Sequence, residues 1–231
     1  MTAAQPDFTG DGLLLDLPFT GRWLVQNSPA RRVPSHGTDL FGERFAIDFV
    51  GVNERRRTSE FPSWSTVFGV EPPDRFVSFG RPILAPCEGV VTDTHDGEPD
   101  HDARRSPLAL LPYALSQGQR VRRGIPAIAG NFVILELPER IGFVALVHLK
   151  RDSLRVEPGQ QVRTGQHLAD CGNSGNSTQP HLHLQAMDSR DLSRARGITL
   201  AFRQYREQRT RTSEFADRAM DVPAEGAVVE P

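Results

Sequence analysis

The sequence predicts an all-β single domain carrying long loop insertions, on three observations. Eighteen prolines, twenty glycines and thirteen phenylalanines in 231 residues, with few helix-period segments, favour short strands joined by many turns. Several runs alternate polar and apolar residues with the period of two that a half-buried strand requires. The length supports one domain with a sizeable core plus insertions, and is too short for two large domains.

Residues 1–17 read as a lead-in and 18–208 as the domain, with insertions at 51–80 and 94–124. Residues 209–231 read as a polar, poorly ordered C-terminal tail. Within the domain, Pro18 to Asn27 forms a first short strand ending in a turn. Ser28 to Thr38, with Pro29, Pro34 and Gly37, is loop and contains His36.

Arg44 to Val50 alternates so that Phe45, Ile47 and Phe49 share one apolar face and Ala46, Asp48 and Val50 the other. A carboxylate in the middle of such a strand must be compensated. A structural salt bridge and a metal ligand are the two readings of Asp48. Gly51 to Gly80 is too long for an ordinary loop, and its Trp64, Phe68, Phe76 and Phe79 either line a cleft or plug a sheet edge.

Gly80 to Val91 reads as two short strands pinched at Pro86 to Gly89. Gly130 to Leu137 and Ile141 to Leu149 read as partner strands. Counted by twos, the second puts Val144, Leu146 and His148 on one face. Leu154 to Ala169 reads as a further hairpin, with a structural His167, and Ile198 to Tyr205 as a closing strand. His95 and His101 stand beside acids in the polar insertion and are read as solvated.

Cys171 to Gln185 organises the rest. Gly172, Asn173, Gly175 and Asn176 make a loop that tolerates positive φ, stiffened at its exit by Pro180. His181-Leu182-His183-Leu184 then alternates as a strand, so both imidazoles project to one side. One of them could hold zinc while the other moves protons.

This loop and strand resemble the GNxGxSxGPHLHxE segment of peptidase family M23, the zinc metallopeptidases related to lysostaphin and LytM. Gln179 stands where the family usually has Gly, and Gln185 where it often has Glu. Val147-His148-Leu149 resembles the family's Y-x-HL strand, and Ala85-Pro86-Cys87-Glu88-Gly89-Val90-Val91 its APxxGxV hairpin. Phe45-Ala46-Ile47-Asp48-Phe49 resembles the Asp-bearing strand of its HxxxD motif. The nearest upstream histidine is His36, twelve positions away, which reads as an insertion at Gly37 to Arg44. Asp39 is a rival to Asp48.

The resemblance covers roughly residues 34–187 and implies a mostly antiparallel β-sheet domain with a groove between loops. It implies that His36, Asp48 and His183 bind Zn2+ with a water in the open fourth position, and that His148 and His181 are the catalytic histidines. The implied reaction is hydrolysis of peptide bonds, in peptidoglycan-type peptides. An inactive module of the same family, binding cell-wall peptide or a protein partner, is the alternative. The Leu154 to Ala169 segment also resembles lipoyl carriers, but no lysine follows Lys150 to be modified.

A net charge of −2 gives no reason to expect nucleic acid. Cys87 and Cys171 allow one bridge or two free thiols, and the absence of CxxC excludes a cysteine-rich zinc site. No signal-like or membrane-spanning segment is visible, so a cytoplasmic location is expected of the sequence as written, although a cell-wall substrate would require export.

Overall fold

A computed structural model describes residues 12–59, 69–104 and 125–231. Trp64, Phe68 and most of the predicted 94–124 insertion lie outside them. The described residues form an eleven-stranded sheet and a separate two-stranded one. Its strands are β1 (Leu13–Leu15), β2 (Trp23–Gln26), β3 (Ile47–Gly51), β4 (Pro82–Leu84), β5 (Gly89–His95), β6 (Asn131–Glu136) and β7 (Phe143–Leu149). They continue with β8 (Gln161–Val162), β9 (His167–Asp170), β10 (Leu182–Met187), β11 (Leu200–Gln208), β12 (Ala216–Asp221) and β13 (Val228–Glu230). Among the described residues, a helical segment, α1 (Ile125–Ala129), precedes β6.

The large sheet runs β1-β11-β13-β2-β3-β10-β7-β6-β5-β8, with β12 also on β11. Every pairing is antiparallel except β1 with β11. The predicted all-β, mostly antiparallel architecture is therefore the observed one. Its two faces differ, as period-two patterning requires. On one, Val25, Ile47, Phe49, Val133, Leu135, Val144, Leu146, Leu182 and Leu184 form the main core, covered by Ile83, Ala85, Leu168 and Ala169 from the β4–β9 sheet. Phe19 stacks on Trp23 at 4.6 Å between centroids and meets Phe49 edge-on at 5.0 Å. Each such buried side chain contributes roughly 1.5–3 kcal/mol. The opposite face carries Asp48, His183 and Gln185, beside a smaller apolar cluster that includes Ala145, Val147, Met187 and Leu192.

Four expectations need correction. β4 and β5 are not a hairpin: β4 pairs with β9, and β5 with β6 and β8. The 161–170 strands likewise belong to different sheets. Period two reports which face a residue takes and leaves the partner strand open. The lead-in contributes β1 to the large sheet. The predicted tail contributes β12 and β13, and β13 lies between β11 and β2 with Val228 and Val229 buried. β12 is largely exposed, because ladder hydrogen bonds need only backbone and a polar strand can supply them.

The described part of the 51–80 insertion packs rather than lining the cleft. Phe76 is buried, and Ser78 donates to the Pro180 carbonyl at 2.6 Å. Both cysteines are free and buried. Among the described residues, no helix is long and apolar enough to cross a membrane.

Candidate metal centre

Asp48 and His183 face each other directly, because they are register partners on antiparallel β3 and β10. His183 Nδ1 lies 2.9 Å from Asp48 Oδ1. His36 arrives from the loop before β3 and puts Nε2 3.2 Å from Asp48 Oδ2. One nitrogen from each histidine and one carboxylate oxygen lie within 4.8 Å of one another. Asp39, the rival, is exposed and paired with Arg44 at 2.7 Å, and takes no part.

His181 precedes β10 and approaches the same carboxylate less closely, with Nε2 3.7 Å from Asp48 Oδ1. His148 comes from β7, which neighbours β10. Its ring centroid is 4.8 Å from that of His181 and 5.9 Å from that of His183. All five predicted site residues thus line one cleft of about 330 Å3.

His148 reaches the cleft by a route that alternation does not predict. Strict period two would place it with Val144 and Leu146, which are in the main core. The β6–β7 register instead shifts between Asn131 and Phe132, opposite Leu149 and Val147, so His148 is an extra residue with no partner on β6. It has φ +62, in the left-handed region. This β-bulge turns its ring to the cleft that Val147 also lines.

The loop before β10 holds both outer histidines. His148 Nδ1 donates to the Ser174 carbonyl at 2.9 Å, and His181 Nδ1 to the Gln179 carbonyl at 2.8 Å. The loop is packed tightly enough to need its glycines. A Cβ on Gly172 would strike the Lys150 backbone, and one on Gly175, which has φ +69, would strike Gly130. His101, expected to be solvated, is held on this loop: its Nε2 is 2.9 Å from the Gly175 carbonyl, and its own carbonyl accepts from Asn173 Nδ2 at 2.6 Å. His167 is structural as expected, 2.9 Å from Asp170.

Three further residues complete the site. Asn27 Nδ2 donates to Asp48 Oδ2 at 2.7 Å, Ser35 Oγ sits 3.0 Å from His36 Nδ1, and Gln185 Oε1 sits 3.0 Å from His183 Nε2. The sequence reading assigned none of them a function. Gln185 carried a usable signal, since it lies two residues beyond His183 on the same strand face. Asn27 and Ser35 lie in loops and carried none.

The electrostatics follow from burial and proximity. Burial alone would raise the Asp48 carboxyl, but the imidazoles of His181, His36 and His183 hold it well below the usual carboxylate range. Burial opposes charge on His183, yet its hydrogen bond and attraction to Asp48 push it up to about 9. His148 is driven well below its ordinary value by burial and by the imidazoles of His181 and His183, and His181 is lowered by burial. Two neutral imidazoles therefore stand beside an anion that lacks a permanent cation. The donor set of two imidazoles and one carboxylate fits zinc with an open position. Ile125, Ile128, Ala129, Val147 and Leu192 add apolar side chains to the lining of the cleft.

Residues 112–194 match the model of peptidase family M23. Among solved structures, the catalytic domain of the antimicrobial peptidase lysostaphin from Staphylococcus simulans is 16% identical over 77% of this chain and 88% of that one, with a TM-score of 0.38. The catalytic domain of the prophage-encoded M23 protein EnpA from Enterococcus faecalis, as its A109H mutant, is 16% identical over 67% and 73%, with a TM-score of 0.38. The deep-sea M23 metalloprotease pseudoalterin is 13% identical over 81% and 75%, with a TM-score of 0.42. These likenesses are distant. His36 and Asp48 precede the matched stretch. The residues that carry His148, His181 and His183 match peptidase family M23, the family that the His181-Leu182-His183 strand and its neighbouring motifs resemble.

Proposed function

We propose that this chain is a zinc-dependent endopeptidase that hydrolyses peptide bonds of peptidoglycan-type peptides, with His36, Asp48 and His183 as ligands. The observation that carries the reading is the convergence of these three donors within 4.8 Å, next to two further histidines. Zinc bound there would polarise the scissile carbonyl and bring a water's pKa to about 7.

The remaining work falls to the chain's own groups. His148 and His181 each give the Nδ1 proton to a backbone carbonyl, which leaves Nε2 as the acceptor. Both rings are kept neutral at pH 7, so the Nε2 of either ring can take the proton released by the attacking water and later return it to the leaving amine. In protonated form the same ring can donate to the developing oxyanion.

The test is zinc content after dialysis without chelator, paired with cleavage of soluble peptidoglycan fragments. About one zinc per wild-type chain, its loss in His36→Ala, and zinc-dependent cleavage are the expected results. A folded wild type that cannot be loaded with zinc would overturn the reading. Loading and fragment binding without cleavage would leave a binding module.

A further inference from the structure

The twelve-residue spacing between His36 and Asp48 creates a segment, residues 37–44, whose role can be read from hydrogen-bond accounting. His183 is hydrogen-bonded at both ring nitrogens, Nδ1 to Asp48 Oδ1 at 2.9 Å and Nε2 to Gln185 Oε1 at 3.0 Å. Gln185 is buried, and its amide orientation is fixed independently. Its nitrogen lies 2.6 Å from the Phe41 carbonyl, which can only accept. The amide oxygen must therefore face His183, and an oxygen there requires the proton on Nε2. That commits Nε2 to the glutamine and leaves Nδ1, which here donates to Asp48 Oδ1, as the nitrogen whose proton a metal would replace.

The other three imidazoles have the opposite arrangement. His148 and His181 donate Nδ1–H to carbonyls. Ser35 Oγ gives its hydrogen to the Glu43 carbonyl at 3.2 Å, so it accepts from His36 Nδ1 and leaves Nε2 toward Asp48. His183 is thus the one imidazole of the four that needs an acceptor beyond Nε2, and Gln185 is that acceptor.

The Phe41 carbonyl is presented by an unusual turn. Phe41 has φ +59 and Gly42 φ +81, inside the Leu40–Phe45 segment. A Cβ on Gly42 would come within 3.1 Å of Gln185 Nε2 and 3.3 Å of the Ala195 and Met187 Cβ atoms, so the turn is seated directly on the glutamine. We infer that residues 37–44 are a clamp: the Phe41 carbonyl orients Gln185, and Gln185 is a positioning residue that fixes the tautomer of His183 for metal binding. This rests on the ligand assignment proposed above. Partners of this kind typically change metal affinity 10–100-fold when removed.

The experiment compares zinc affinity, by competition with a chelating dye, in the wild type, Gln185→Met, Gln185→Glu and Gln185-intact Gly42→Ala. It also reads by nitrogen-detected imidazole NMR which nitrogen of His183 carries the proton in the zinc-loaded wild type. A proton on Nε2, zinc binding about 10–100-fold weaker in Gln185→Met, and only partial recovery in Gln185→Glu, which restores the acceptor for His183 but gives the Phe41 carbonyl no donor, are expected. Gly42→Ala should weaken binding less than Gln185→Met and carries the test if the latter does not fold. A proton on Nδ1, or folded Gln185→Met or Gly42→Ala binding zinc like the wild type, would overturn the clamp while leaving the peptidase reading intact. No zinc bound by the wild type would overturn both.

Discussion

Two carboxylates are buried in the same sheet, Asp48 on β3 and Glu207 on β11, and their surroundings differ in kind. Glu207 is 1% exposed and is held by Arg218 at 2.9 Å, Arg209 at 3.0 Å and the Ala224 amide at 2.8 Å. Guanidinium groups are charged at every pH a protein meets, so this anion is compensated permanently. Asp48 is 8% exposed and has one amide and three imidazoles around it. Imidazole charge is conditional. A buried anion with permanent cations joins strands, here β11 to β12 and to the chain before β13. A buried anion with conditional partners can accept a cation from outside.

The contrast breaks if the two sites respond alike to loss of charge. Asp48→Asn should have the largest effect, abolishing zinc binding and lowering peptide cleavage on the order of 1,000-fold or more, since several kcal/mol of transition-state stabilisation go with the metal. Added zinc should raise the melting temperature of the wild type, as any ligand specific to the folded state does, and leave that of Asp48→Asn unchanged.

His181→Ala sharpens the contrast, because His181 touches Asp48 only at 3.7 Å and lies outside the three residues proposed as ligands. It should keep its zinc and lose about 10²–10⁴-fold in turnover. Equal zinc loss in His181→Ala and His183→Ala would dissolve the division of roles.

Glu207→Gln should bind zinc and cleave normally, but unfold about 2 kcal/mol more easily in denaturant titrations. A smaller effect is pH-dependent. Burial would raise the Glu207 carboxyl, but the Ala224 amide and Arg209 hold it below its ordinary 4.5. Its stabilising contribution is therefore fully present above pH 4.5 and lost as the pH falls through the lower folded value. The gap in melting temperature between wild type and Glu207→Gln should close below about pH 4.5, with zinc absent from both.

How much of this was legible in the sequence depended on whether local patterning was enough. β3 and β10 were readable because apolar residues alternate with Asp48 and with His181 and His183, and the side on which each side chain falls needs only period two. The loop glycines were readable because positive φ and close approach demand them. The face of His148 was misread, since one extra residue in β7 depends on how β6 pairs, a non-local fact. The partners of β4 and β9, and the entry of β13 between β11 and β2, were hidden for the same reason. The polar 209–231 stretch looked loose because it lacks an apolar face, whereas its pairing is made by backbone and by Glu207 bridging to Arg218.

The bulge at His148 also bears on what mutation can do to this protein over generations. A left-handed backbone disfavours most side chains by about 1 kcal/mol, and glycine, asparagine and aspartate tolerate it best. Asparagine and aspartate are each one base change from histidine in the genetic code. Drift therefore has short exits from this position that leave the fold sound, and every one removes an imidazole from the cleft. On the proposed reading, a replacement of His148 that keeps the fold would leave a chain that binds without cutting.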